Sequence, residues 1–308
     1  MMRIFSSIAA FFTLIFAVLG LYDVKDAGDF QNKSWMSEID GSSYISEISI
    51  PGTHDSGALY EPIVPVTKCQ EYTIEDQLEM GVRFLDVRVF MIFGSAQISH
   101  SVILQGQKFR EVTEACLSFL EENPSETIIF CLKGEGSLLS KRTVTDVISE
   151  VVSEDESKWF TENRIPTLDE VRGKIVLFNR YDSKSEMGII ASAGWADNTA
   201  FEIENSDFVI NVQDHYNLGK AENIATKWNE AVELFEKSLS EKDTESNLYI
   251  NFLSGHTSYR LPDITEVSDA MNGKVSDYLT NAEDGNYGII LCDFIDAEIC
   301  EKIIKTNY

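Results

Sequence analysis

Positive charge is scarce in this sequence: 25 Lys and Arg stand against 51 Asp and Glu, a formal net charge of −26 with a pI near 4.4. No basic stripe is available to neutralise phosphates, which excludes nucleic acid as a partner and argues against general adhesion to anionic membranes. Cysteine is sparse too. The five cysteines (Cys69, Cys116, Cys131, Cys292, Cys300) are too scattered for a disulfide scaffold, their odd number leaves at least one unpaired, and no CxxC pair of metal-site spacing occurs. Cys131 and Cys292 lie inside the apolar runs "TIIFCLK" and "GIILCDF", the setting of a buried small hydrophobe. Long apolar runs are missing beyond residue 22, so nothing past that point is expected to cross a membrane. Histidine numbers only four: His54, His100, His215 and His256.

What is present begins with "MMRIFSSIAAFFTLIFAVLGLYDV", one arginine followed by an uncharged stretch from Ile4 to Tyr22. Its apolar centre is short for a bilayer span, so residues 1–22 read as a secretory signal peptide in preference to an uncleaved anchor. The mature protein is therefore expected to be secreted, and "NKS" at Asn32 becomes a glycosylation acceptor in a eukaryotic host. Residues 23–35 read as an N-terminal extension and residues 36–308 as one catalytic domain, since no linker, repeat or low-complexity tract divides them.

Short β-rich runs alternate with longer amphipathic stretches. Strands are expected near residues 47–50, 83–91, 97–99, 127–133, 174–180, 207–213, 247–252 and 287–294, with helices at 73–80, 108–122, 144–152, 218–239, 264–279 and 296–304. Eight strands separated by crossovers point to an α/β fold, a distorted TIM (β/α)8 barrel closed on itself. Barrel enzymes gather their chemistry at the C-terminal ends of the strands. Polar residues stand at those ends here: His54 and Asp55 after the first strand, Asp86 and Arg88 in the second, His100 ending the third and Lys133 the fourth. Arg180 ends the fifth, Asp214 and Tyr216 the sixth, Asn251 and Ser254 the seventh, and Asp293 comes late in the eighth. Each has a structural reading as well, such as an Asp86–Arg88 or Lys133–Glu135 salt bridge, but ionisable groups in apolar runs are expensive to bury, and a whole set of them calls for one explanation.

"SIPGTHDS", "QLEMGVRFLDVRV", "ISHS", "NPSETIIFCLK", "RGKIVLFNR", "NVQDHY", "LYINFLSG" and "GIILCDF" follow one another over residues 36–308. In that order they resemble the catalytic X domain of phosphatidylinositol-specific phospholipase C in its bacterial, single-domain, metal-independent form. The resemblance implies a secreted phospholipase C that cleaves phosphatidylinositol, or a glycosylphosphatidylinositol, to diacylglycerol and inositol 1,2-cyclic phosphate.

Internal cleavage of a phosphodiester needs a base, an acid and a cation over the non-bridging oxygens, and histidines suit both proton transfers near neutral pH. The resemblance assigns His54 as base and His100 as acid, Asp293 as the orienter of His54, Asp55 as the support of His100, and Arg88 as the phosphate ligand. It places Lys133, Arg180, Asp214 and Tyr216 on the inositol hydroxyls, with Trp195 either nearby or an exposed loop aromatic; His215 reads as structural. No metal or cofactor is expected: Arg88 stands where calcium-dependent relatives carry a second carboxylate, and its planar fork would face the phosphate. Transient contact with the membrane surface falls to the apolar loops "LYEPIVPV" and "HTSYRLPD". Two alternatives remain at this stage, a catalytically weak barrel that binds inositol lipids and a glycerophosphodiesterase-like barrel, although the latter would be expected to carry a Glu-x-Asp metal pair where this chain has Asp86-Val87-Arg88.

Overall fold

The computed structural model describes residue 25 and residues 30–61, 66–257 and 263–308. The leader, and part of each loop expected to meet the membrane, lie outside the described residues. No helix among the described residues is long and apolar enough to cross a membrane.

Eight mutually parallel strands form the frame. In spatial order they are β6 (Trp159–Phe160), β7 (Ile175–Arg180), β5 (Ile128–Leu138), β2 (Phe84–Ile92), β1 (Ile50–Thr53), β12 (Ile289–Cys292), β11 (Asn247–Phe252) and β10 (Val209–Asp214). β9 (Thr199–Glu204) runs antiparallel to β10, β8 (Ile189–Ile190) adds to β7, and β3 (Ser95–His100) with β4 (Ile103–Lys108) forms an antiparallel hairpin on β2. The fold is the distorted α/β barrel expected, with two corrections. Among the described strands the sheet runs from β6 to β9 without a pairing that closes it. The expected third barrel strand is β3 turning back on β2, and the eighth parallel strand is the two-residue β6, too short to leave a periodic signal.

Seven α-helices are present among the described residues: α1 (Ile74–Met80), α2 (Phe109–Glu122), α3 (Val144–Glu154), α4 (Leu168–Val171), α5 (Ile224–Ser240), α6 (Ile264–Thr280) and α7 (Ala297–Lys305). Five match the expected helices closely, and α4, a single turn of four residues, was not expected. α5 begins at Ile224 in place of residue 218 because Asn217 bridges His256, Leu218 N donates to the His256 carbonyl, and a 3-10 turn follows at Ala221–Asn223.

The strands read as continuous apolar runs because both of their faces are covered. Along β5, Ile128, Phe130 and Leu132 join the core under the helices, while Ile129 and Cys131 join the barrel interior. The same alternation puts Ile50, Phe84, Val176, Phe178, Ile210, Val212, Phe252, Ile289 and Leu291 inside. Gly52 takes its turn in this set without a side chain, since a Cβ there would come within 3.0 Å of Leu291 and 3.1 Å of Phe84. Two residues further along, the period-2 pattern places His54, Lys133, Arg180, Asp214 and Asp293, and along β2 it places Asp86 and then Arg88. The functional site is thus the top layer of the barrel interior.

At the opposite end, Arg83 is fully buried. Its Nε and Nη2 donate to Glu126 Oε2 at 3.0 and 2.8 Å, and its remaining donors reach the carbonyls of Leu78, Val82 and Lys33. This pair holds the start of β2 and has no access to the cavity. Glu126→Ala would leave a buried guanidinium without its counter-charge and is expected to cost about 3–5 kcal/mol, read as a lower urea midpoint at unchanged slope.

Candidate active site

The turn after β1 is fixed by side chains from outside the barrel. Gln70 Nε2 donates to the carbonyls of His54 and Cys292, both at 2.9 Å, and Gln77 Nε2 donates to the carbonyl of Ser56 at 2.9 Å. Asp55 adopts a left-handed backbone with φ 41°. That conformation, uncommon outside glycine but tolerated by Asp and Asn, turns the two adjacent side chains in different directions. His54 Nδ1 meets Asp293 Oδ1 at 2.7 Å. Asp55 is buried beneath the cavity, with Oδ2 3.8 Å from both His100 Nε2 and Arg88 Nη1.

A cavity of 540 Å³ opens over this layer, lined by His54, Arg88, His100, Lys133, Arg180, Asp214, Tyr216 and Asp293 among others. Of the residues to which the resemblance gave a catalytic or inositol-binding role, Asp55 alone does not line it. Strand register puts Arg88 beside Lys133 and Lys133 beside Arg180, a lateral row of three cations. Carboxylates compensate them from either side: Lys133 Nζ meets Glu135 at 2.7 Å, and Asp86 lies 3.6 Å from Arg180. Arg88 donates through Nε and Nη2 to Asp86 Oδ2 at 3.0 and 2.8 Å, so its fork grips Asp86 and Nη1 is left toward the cavity. This corrects the expectation that the fork itself faces the phosphate. His100 reaches the same layer because the β2–β3 hairpin brings the chain back: Ile98 pairs with Val89, two residues before His100.

Trp195 belongs to the cavity wall. Its ring lies 3.4 Å from the Arg180 guanidinium and its Nε1 donates to Asp214 Oδ2 at 3.0 Å, so it sets the plane of one cation and the direction of one carboxylate. Tyr216 donates to Asp197 at 2.8 Å, which, with burial, pushes its phenol up to about 12. His215 turns to Glu230 at 3.0 Å and is absent from the lining, as expected of a structural residue. Asn251 and Ser254 are buried outside the cavity, Asn251 donating to the Ala231 carbonyl; Gly255 and His256 line it instead. His256 was legible from its place just past the seventh strand, whereas Asp197 and Ala196 arrive on a loop that carries no such signal.

The electrostatics divide the proton carriers. Burial, relieved in part by Arg88 and His54, pushes the Asp55 carboxyl up to about 7. Burial together with Arg88 and His54 holds the His100 imidazole down at about 3. The exchangeable proton of this pair therefore rests on the carboxyl side, and an anion placed between Arg88 and His100 would draw it to the imidazole. Asp86 would be raised by its burial, but Arg88 and Arg180 hold it well below the usual carboxylate range. Lys133 is lowered by burial and by Arg88.

Two groups among the described residues have metal-ligand spacing, His54–Cys69–Asp293 and Asp55–Cys69–His100, with ligand atoms within 4.8 Å of one another. Both depend on Cys69, whose thiol is raised well above its ordinary value by burial, then by Asp293 and Asp55. A metal would need the thiolate, so the donor set favours a neutral S–H between the two histidine–carboxylate pairs.

The folded-state proton affinity of Asp55 exceeds that of the unfolded chain. Its burial therefore costs nothing below about pH 4, and the penalty grows to a ceiling of about 4 kcal/mol as pH rises to about 7. Asp55→Asn, which keeps the shape and suits the left-handed backbone, is expected to gain stability over the wild type across that interval while losing activity. Paired thermal melts from pH 4 to 8 check it; parallel curves would mean that Asp55 is not desolvated.

Residues 48–181 match the family model described as "Phosphatidylinositol-specific phospholipase C, X domain". The chain is 33% identical over 274 residues to the 1-phosphatidylinositol phosphodiesterase of Staphylococcus aureus, covering 79% of each chain. It is 28% identical over 289 residues to the enzyme of the same name from Listeria monocytogenes, covering 89% of this chain and 85% of the relative. In structure it is similar to the Listeria monocytogenes phosphatidylinositol-specific phospholipase C, with a TM-score of 0.73 and 27% identity over 90% of this chain and 99% of that one. The Staphylococcus aureus phospholipase C shares the fold at a TM-score of 0.80 and 24% identity, over 90% of this chain and 98% of that one.

Proposed function

The chain belongs to the phosphatidylinositol-specific phospholipase C X-domain family, and we propose that it cleaves phosphatidylinositol to diacylglycerol and inositol 1,2-cyclic phosphate by paired histidine catalysis. It is an enzyme, a phospholipase C acting on phosphatidylinositol. The observation that carries the mechanism is the placement of two imidazoles, each beside a buried carboxylate, around one guanidinium in a single cavity.

His54, oriented by Asp293, takes the proton of the inositol 2-hydroxyl as that oxygen bonds to phosphorus. The bond from phosphorus to the glycerol oxygen breaks, and His100 delivers a proton to that oxygen. Arg88, held on Asp86, stabilises the charge gathering on the non-bridging oxygens. Asp55 supplies and steadies the proton that His100 gives up. Arg180, Asp214, Lys133 and Tyr216 hold the remaining inositol hydroxyls, with Trp195 fixing two of them in place. The apolar leader supports a secreted enzyme, for which a glycosylphosphatidylinositol is a second substrate.

The carboxylates Glu135, Asp197 and Asp214 in the cavity wall would repel phosphate groups on the inositol ring. Diacylglycerol release from phosphatidylinositol is therefore expected to exceed that from its 4,5-bisphosphate by about tenfold or more. Equal rates would mean that Lys133 and Arg180 bind phosphate, and no release from either would reject the function.

A further inference from the structure

Four large apolar side chains are exposed among the described residues, and the two most exposed, Phe93 at 60% and Leu139 at 69%, sit side by side. Phe93 follows β2 and Leu139 follows β5; the two strands stay paired to Ile92 and Leu138, and Phe93 N donates to the Leu138 carbonyl at 3.2 Å. These are the longest described strands, 9 and 11 residues. Arg88 and Lys133 mark the level of the active site, so five more residues carry the tip roughly 16 Å beyond it on the same side of the barrel. Phe90, Ile92, Val102, Leu104 and Leu138 pack into a small apolar cluster behind it.

Backbone conformation gives an independent sign. Phe93 and Leu139 have φ of 49° and 50°, and Gly94 has φ of 85°. Phe93-Gly94 is thus a two-residue hairpin turn with positive φ at both positions, where the backbone favours Asn-Gly. A bulky aromatic there is strained and stays largely exposed, and such strain at an exposed position points to function. The charge pattern agrees. Residues 87–110 and 136–145 contain no Asp or Glu in a chain with 51, and Lys141 and Arg142 directly follow the tip, Arg142 being engaged by Glu150. An anionic surface that repels most of this molecule would repel the tip least.

We propose that Phe93 and Leu139 form a membrane-insertion tip that docks the cavity mouth onto a lipid surface. The proposal rests on the lipid-cleaving reading above: a substrate anchored in a bilayer must enter from the face on which the tip stands. Two isolated side chains offer too little area for a stable protein partner but suit shallow insertion between lipid headgroups.

The test is the double variant Phe93→Asn, Leu139→Asn, which removes both apolar groups and places at each left-handed position a residue that tolerates it. Its melting temperature should equal or exceed that of the wild type. Turnover of a water-soluble monomeric inositol phosphodiester should stay within about twofold, since the tip is remote from the reacting atoms. Binding to sucrose-loaded vesicles of phosphatidylcholine and phosphatidylglycerol should fall on the order of tenfold or more, and hydrolysis of vesicular phosphatidylinositol should fall with it. Equal vesicle binding by variant and wild type would overturn the proposal while leaving the catalytic reading intact. Absence of soluble-substrate turnover in the wild type would reject the catalytic reading, with the binding comparison still deciding the tip. A wild type that sediments as a dimer and a variant that sediments as a monomer would make the tip a protein contact and overturn the proposal.

Discussion

His54→Ala is expected to lower phosphatidylinositol turnover by about 10²- to 10⁴-fold or more with the fold intact, and His100→Ala by a similar factor. The reason is positional. His54 meets Asp293 at 2.7 Å at the cavity wall, and His100 stands across Arg88 beside Asp55. Both serve one displacement, so the double variant should lose little more than either single one. Their roles separate with a good leaving group: an aryl phosphodiester of inositol needs little protonation, so it should partly rescue His100→Ala and leave His54→Ala inactive. Equal rescue of both would overturn the assignment of base and acid.

Arg88→Lys is expected to cost about 10²- to 10³-fold in turnover, although it conserves charge. Arg88 is gripped by Asp86 through two nitrogens and still presents Nη1 at the cavity; one ammonium cannot keep that grip and reach the phosphate as well. On the proposed mechanism a fixed cation here would repel divalent ions and supply the charge neutralisation for which other phosphodiesterases use a metal. Wild-type activity should therefore be unchanged by excess EDTA. Loss of activity in chelator and its return with calcium would show that Arg88 is misassigned.

The regular parts of this molecule were legible because the physics is local. "TIIFCLK" and "KIVLFNR" are strands buried on both faces that end in a cation, and Thr73, whose side chain accepts from the Asp76 backbone, caps α1 where the helix was expected to begin. Cavity residues placed by strand period, such as Lys133, Arg180 and Asp214, could be read the same way. What depended on long-range geometry was not legible. Nothing near Cys69 indicates that it lies between the two histidine–carboxylate pairs, whereas the grip of Asp86 on Arg88 was open to reading as a salt bridge between two residues of one strand face. The hairpin that delivers His100 resembled a barrel strand because a short alternating run does not state its direction. Phe93-Gly94, the turn of that hairpin, falls between the strands expected at 83–91 and 97–99, but carries no sign of a tight reversal because the aromatic stands where Asn would have marked it.

An internal displacement run by two histidines would show itself in the phosphorus NMR spectrum of the first product formed from phosphatidylinositol vesicles. The expected spectrum shows the resonance of a five-membered cyclic phosphodiester, inositol 1,2-cyclic phosphate, appearing as diacylglycerol is released. An acyclic inositol monophosphate as the first product, with no cyclic species at early times, would mean that water is the nucleophile and would contradict the role given to His54.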